Sequence, residues 1–193
     1  MIGKRNKFNL SHSHITTGDI AGLYPVALVE VLPGDSIQMS TQLLARLTAL
    51  VTPAFHPLVV KIHHWFSPMR QLWEDWDEFI SGYDKDGNAS SKTYPTMTLA
   101  APAVGSLAHY LGVPCDGANN RTVSALPFRM YADIYNHFYR DQNLQSSLTI
   151  DRSDGADATT NTTLKNINWD KDYFTTCSTT EQQGTQVSWP CGS

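Results

Sequence analysis

Charge is scarce in this chain. Only 17% of its 193 residues are Asp, Glu, Lys or Arg, against roughly 25% in an ordinary soluble domain. A chain this short of charge has little to spread over a solvated surface, and extended contact with other chains is one way to tolerate that. The formal net charge of -4 argues against bulk coating of nucleic acid, which needs a basic excess to displace counterions. Cysteine is nearly absent as well. Cys115, Cys177 and Cys191 are odd in number and have neither CxxC nor metal-ligand spacing, so no disulfide framework is expected and a reducing compartment fits. There is no apolar stretch near the start of the kind a secretory leader carries. No run reaches the roughly 18 apolar residues of a membrane span. No phosphate-binding glycine loop and no nucleophile elbow occurs.

What is present is hydrophobic patterning of two periods. Residues 1–20 are polar and aperiodic and read as an arm. Three of the five basic residues before position 67 lie in it, Lys4, Arg5 and Lys7. From Leu23 the texture changes. The run from Tyr24 to Val31 is β-rich and mostly apolar, as in a strand covered on both faces. Pro33-Gly34-Asp35 makes a turn. Ile37, Met39 and Thr41 then alternate with Ser36, Gln38 and Ser40, a half-buried strand. Leu58 to Phe66 is a third strong strand, with Val60, Ile62, His64 and Phe66 on one face. Strands are expected near 24–31, 36–42 and 58–66.

The period then becomes helical. Ser67-Pro68 reads as an N-cap followed by proline at the first helical position. Leu72, Trp73, Trp76, Phe79 and Ile80 form one apolar stripe to about Ser81, and Gly82 stands at the C-terminal cap. Residues 83–95 are a polar loop. A short helix is expected at Ser106–Leu111 with Ser106 as cap. A longer one is expected from near Pro127, with an aromatic face of Phe128, Tyr131, Ile134, Tyr135 and Phe138, and an Arg129–Asp133 pair four residues apart. Residues 151–163 are poor in apolar side chains and read as mobile. The tail from Thr175 to Ser193 has one apolar point, Val187 to Pro190.

Chemistry-bearing residues are present without a constellation. His12, His14, His63 and His64 lack a third ligand at suitable spacing, and His63 and His64 point to opposite faces of a strand. Glu74, Asp75, Asp77 and Glu78 lie along one helical turn, whereas glycoside hydrolysis needs two carboxylates facing each other across a cleft. Cys177 has no base beside it. The sequons at Asn88, Asn120 and Asn161 carry little weight without a secretory signal. Phe128, Tyr131, Tyr135 and Phe138 could stack single-stranded DNA, but packing against a sheet or a neighbouring subunit is the simpler reading. A carbohydrate-binding jelly-roll module is the alternative from another class. It would need Trp65, Trp73 or Trp76 as a flat ring open to solvent.

An ordered series of segments then resembles the major capsid proteins of the Microviridae, in particular the gokushovirus-like branch. It begins with Leu32-Pro33-Gly34-Asp35-Ser36, Ala45-Arg46-Leu47, Pro53 to Pro57 and Trp65 to Pro68, and continues through Leu72 to Phe79. It resumes at Gly105 to Pro114, Val123 to Arg129, Phe138 to Gln145 and Asp172 to Cys177. The resemblance implies a mainly β protein: a viral jelly-roll β-sandwich, of which this chain carries the N-terminal strands, with inserted helices and long loops. The expected organisation is an arm over 1–20, the first jelly-roll strands over 21–66, and helical and loop insertions over 67–193. Proteins of that family are well over twice as long, so the chain is expected to end before the jelly roll is complete.

The function so implied is structural: self-assembly into a T=1 icosahedral shell around a circular single-stranded DNA phage genome, without catalysis, cofactor or metal. Expected partners are further copies, the remaining C-terminal part of the capsid protein, and packaged single-stranded DNA through Lys4, Arg5 and Lys7, with no membrane. Trp65, Trp73, Trp76, Phe79, Phe128, Tyr131, Tyr135 and Phe138 are expected as core or subunit-interface anchors. The expected location is the virion, after assembly in the bacterial host cytoplasm.

Overall fold

The short runs of favourable helix and strand residues in this chain give short elements. The structure, a computed structural model, describes residues 6–53 and 55–177. It divides into two units: Val29–Phe66, and a second formed by Met1–Leu28 with Ser67–Ser193.

The larger unit holds every regular element of the described residues. These are α1 (Met69–Leu72), α2 (Trp76–Ser81), β1 (Thr96–Leu99), α3 (Leu107–Tyr110), β2 (Arg121–Ser124), α4 (Leu126–Ile134) and a π-helical turn over Tyr135–Tyr139. β1 and β2 form a two-stranded antiparallel sheet with Thr96 opposite Ser124 and Leu99 opposite Arg121. A single parallel bridge adds Ala156 to the free side of β1 at Thr96. Met97 and Leu99 point from the sheet into a core with Leu107, Ala108, Ala125, Phe128 and Tyr131. A second cluster joins Leu72 and Trp73 to Leu126.

The helix expected from Ser67 to Ser81 is broken in two. Pro68 is itself the cap of α1, in an extended conformation. At Trp73 the backbone turns extended (φ -146°, ψ 113°), and the Glu74 amide donates to the Arg152 carbonyl at 3.0 Å instead of continuing the helix. The break drives the Trp73 ring to full burial, with ring centroids 4.8 Å from Phe79 and 5.9 Å from Tyr94. Packing thus outweighs one turn of helical hydrogen bonding. α2 ends as expected at Gly82, in the left-handed region at φ 75°, where a side chain would cost strain. α3 starts as expected: the Ser106 hydroxyl accepts from the His109 amide.

α4 carries the expected aromatic face. Phe128, Tyr131 and Tyr135 are buried, but Phe138 is 60% exposed. The π-helical turn that begins at Tyr135 widens the helix, and the 3.6-residue spacing that would bring Phe138 into line no longer applies.

The smaller unit departs from expectation most. The strands expected near 24–31, 36–42 and 58–66 form no ladder among the described residues. The turn between the first two is there, with the Asp35 amide donating to the Leu32 carbonyl at 3.1 Å and Gly34 at φ 88°. A side-chain contact, 3.2 Å between Thr41 Oγ1 and His64 Nε2, joins the second span to the third. The fold seen in the described residues is mostly irregular, with a little helix and one small sheet.

Candidate assembly surface

Two kinds of surface emerge from the two units. In the larger one, charged side chains are buried together with partners. Arg129 is 0% exposed. It does not pair with Asp133 on its own helix as expected. Its Nε donates to Asp157 Oδ2 at 2.9 Å, and its terminal nitrogens donate to the Leu72 and Ser153 carbonyls at 3.2 and 3.0 Å. A guanidinium that leaves water needs a carboxylate and filled donor positions, and Asp157 on another segment provides the carboxylate in a buried site. Asp133 is left to accept from Gln71 at 2.6 Å and Arg152 at 3.1 Å. The segment 151–163, expected to be mobile, is held here: Asp157 and Thr160 are buried, and the Thr160 hydroxyl donates to Asp157 at 2.7 Å.

Burial pushes the Asp157 carboxyl up, but the Thr160 hydroxyl and amide and the Arg129 guanidinium outweigh it, leaving Asp157 below the usual carboxylate range. Tyr131 is pushed up to about 12, mainly by burial. Its hydroxyl donates to the Leu23 carbonyl at 3.0 Å and accepts from the Lys165 amide at 2.9 Å. Beside it Leu23 also donates to Lys165, and Ile167 to Ala21, so residues 21–23 are laced to 165–167. Further back, the Tyr24 ring lies where a side chain at Gly18 or Gly22 would have to go, and the Tyr110 hydroxyl reaches the Thr17 carbonyl at 2.8 Å. The root of the arm is fixed on the unit.

The smaller unit is the reverse. Every described residue of 29–66 is exposed except half-buried Ile62. The exposed set includes Ile37, Met39, Leu43, Leu44, Leu47, Leu50, Val51, Phe55, Val59, Val60 and Phe66, with Val51 fully open. Single exposed apolar residues need no explanation, whereas apolar side chains exposed at this density mark a surface that associates with protein.

The anchor residues proposed from the sequence divide accordingly. Trp73, Phe128, Tyr131 and Tyr135 lie in the core, Trp76 is half-buried, Trp65 and Phe79 are each 36% exposed, and Phe138 is open. Burial of Trp73 removes one of the three tryptophans that a sugar platform would have used. Lys7 is exposed, while Lys4 and Arg5, like Cys191 and the apolar point at Val187 to Pro190, lie outside the described residues. Sequence reasoning missed Trp169, Tyr173 and Phe174, which are all exposed; Tyr173-Phe174 falls inside a matched segment and could have been found there. Among the described residues no three of His, Cys, Asp and Glu come together to hold a metal, and no helix is long and apolar enough to cross a membrane.

The chain thus combines one packed unit with a segment whose apolar side chains are largely exposed. Comparison with known proteins supplies the particular case. Residues 2–193 match the family described as capsid protein (F protein), and the chain belongs to that family. It is 34% identical to capsid protein VP1 of Bdellovibrio phage phiMH2K over 193 residues, 98% of this chain and 36% of that protein. It is 38% identical to capsid protein VP1 of Chlamydia phage 1 over 156 residues, 76% of this chain and 26% of that one. Spiroplasma virus 4 capsid protein VP1 is 29% identical over 195 residues, covering 93% and 35%. The chain thus spans about a third of the length of the relatives it matches. The resemblance read from the ordered segments is borne out.

Proposed function

We propose that this chain is a part of a phage major capsid protein that builds a T=1 icosahedral shell around a circular single-stranded DNA genome. The observation that carries the reading is the exposure of nearly every residue between Val29 and Phe66. On this reading the spans 24–31, 36–42 and 58–66 are jelly-roll strands whose partners come from the remaining C-terminal part of the capsid protein, and neighbouring copies cover what is left. Association then buries apolar area worth roughly 25 cal/mol per Å², as an upper bound before the costs of ordering, and identical contacts close by symmetry. Lys4, Arg5 and Lys7 face the packaged DNA. No catalytic step is assigned. The chain acts in the virion, after assembly in the bacterial host cytoplasm.

The test is imaging and peptide mass spectrometry of purified particles. Shell density accounting for residues 29–66 as paired strands, at one environment per subunit, is the expected result. Particles whose shell lacks these peptides would overturn the proposal.

A further inference from the structure

We propose that the larger unit carries a phosphate-binding cleft beside the π-helical turn. This goes beyond the shell reading and does not depend on it. The cleft has a volume of about 480 Å³. Its walls include Gln145, Ser146, Ser147, Thr149, Asn161 and Lys165, and no carboxylate is among the residues that line it.

The walls are braced by polar clamps in place of apolar packing. Asn136, in the π-helical turn, holds Leu148 from both sides: its amide donates to the Leu148 carbonyl at 3.0 Å and its carbonyl accepts from the Leu148 amide at 2.7 Å. The Tyr135 hydroxyl reaches the Gln145 side chain at 3.1 Å, and Arg140 donates to the Gln145 carbonyl at 2.6 Å. Asn161 donates through its backbone to Thr149. Lys165 is pinned at its backbone by Tyr131 and Leu23.

These clamps engage Tyr135, Asn136 and Gln145 but leave other groups unused. Ser146 and Ser147 offer two hydroxyls and two amides, and among the described residues no carboxylate pairs with the Lys165 ammonium. The result is a fixed concavity with a surplus of donors and one positive charge. That chemistry suits a compact oxyanion with several acceptor oxygens, a phosphate group above all. It does not suit a cation, which would find no carboxylate. It does not suit a sugar either, since Tyr135, the one aromatic residue of the lining, is buried and presents no ring face. A π-helical turn at the wall agrees with the frequent occurrence of such turns at functional sites.

Phosphate has two sources here, the free ion and the backbone of nucleic acid. The experiment is equilibrium dialysis of the protein against radiolabelled inorganic phosphate, repeated with a short oligodeoxynucleotide as competitor. Saturable binding is expected, weakened at least about tenfold in Lys165→Gln, weakened also in a Ser146→Ala/Ser147→Ala double variant, and retained in Lys165→Arg. Competition by the oligonucleotide supports the cleft and assigns it to nucleic acid; phosphate binding without competition supports it as a free-anion site. Absence of saturable binding overturns the proposal, as does unchanged binding in Lys165→Gln with circular dichroism unaltered. Fold loss in one variant leaves the other to decide.

Discussion

Residues 67–177 and residues 29–66 both carry many apolar side chains, which meet opposite fates. In the first stretch, Trp73, Leu107 and Phe128 vanish from the surface and even Arg129 is enclosed. In the second, Leu44, Val51 and Phe55 stand open. The difference lies in where each segment's partners sit. The helices and the small sheet meet partners elsewhere in the same unit: Arg129 finds Leu72, Ser153 and Asp157. In the segment 29–66, Thr41 contacts His64, but no ladder joins its expected second and third strands among the described residues. Isolated strands and two-stranded ribbons are marginal in water, so a strand-forming sequence without partners stays unpaired.

The contrast can be broken first at Arg129. Replacing it with alanine leaves Asp157 buried without its cation, and the larger unit should lose about 3–5 kcal/mol, read from the urea midpoint by tryptophan fluorescence. Leu107→Ala, a fully buried side chain between β1 and α4, should cost about 2–5 kcal/mol by the same assay. Loss of the Ser106 cap in Ser106→Ala should cost about 1 kcal/mol. In the other region, Leu44→Ser and Val51→Ser should change the stability of the chain by less than about 0.5 kcal/mol while lowering particle yield. If they destabilise the chain as Leu107→Ala does, the two regions are not different in kind.

Acid sharpens the same comparison. Asp157 is held below the usual carboxylate range, so its contribution is complete above the unfolded value of about 4 and is lost as pH falls through its lower folded value. Urea midpoints of the larger unit should therefore fall on acidification below about pH 4, and Asp157→Asn should flatten that dependence. A profile unchanged by Asp157→Asn would show that the carboxylate is not the group responsible.

Much of the packed unit was legible in the residues. The Ser106 cap, the Gly82 terminus, the α4 aromatic face and the turn at Gly34 are local devices, set by side chains a few positions apart. Arg129 was misread for the same reason: Asp133 is its neighbour by spacing, whereas Asp157 becomes its neighbour only when 151–163 folds back beneath the helix. The break at Trp73 was hidden too, because an apolar stripe does not say which ring the core will pull in. The cleft at 144–149 left no trace, since Ser146, Ser147 and Lys165 are ordinary surface residues until Asn136 clamps Leu148 and Tyr131 fixes Lys165.

By itself the sequence determined the family, the two hydrophobic periods, the Ser106 cap of α3 and the end of α2 at Gly82. These depend on residue order and on interactions within a turn or two. Only the tertiary structure decided which polar groups are buried together, where the helix after Pro68 breaks, and that residues 29–66 remain exposed. Those outcomes depend on contacts between distant segments, whose formation turns on the desolvation of particular charges and on whether a partner strand is at hand.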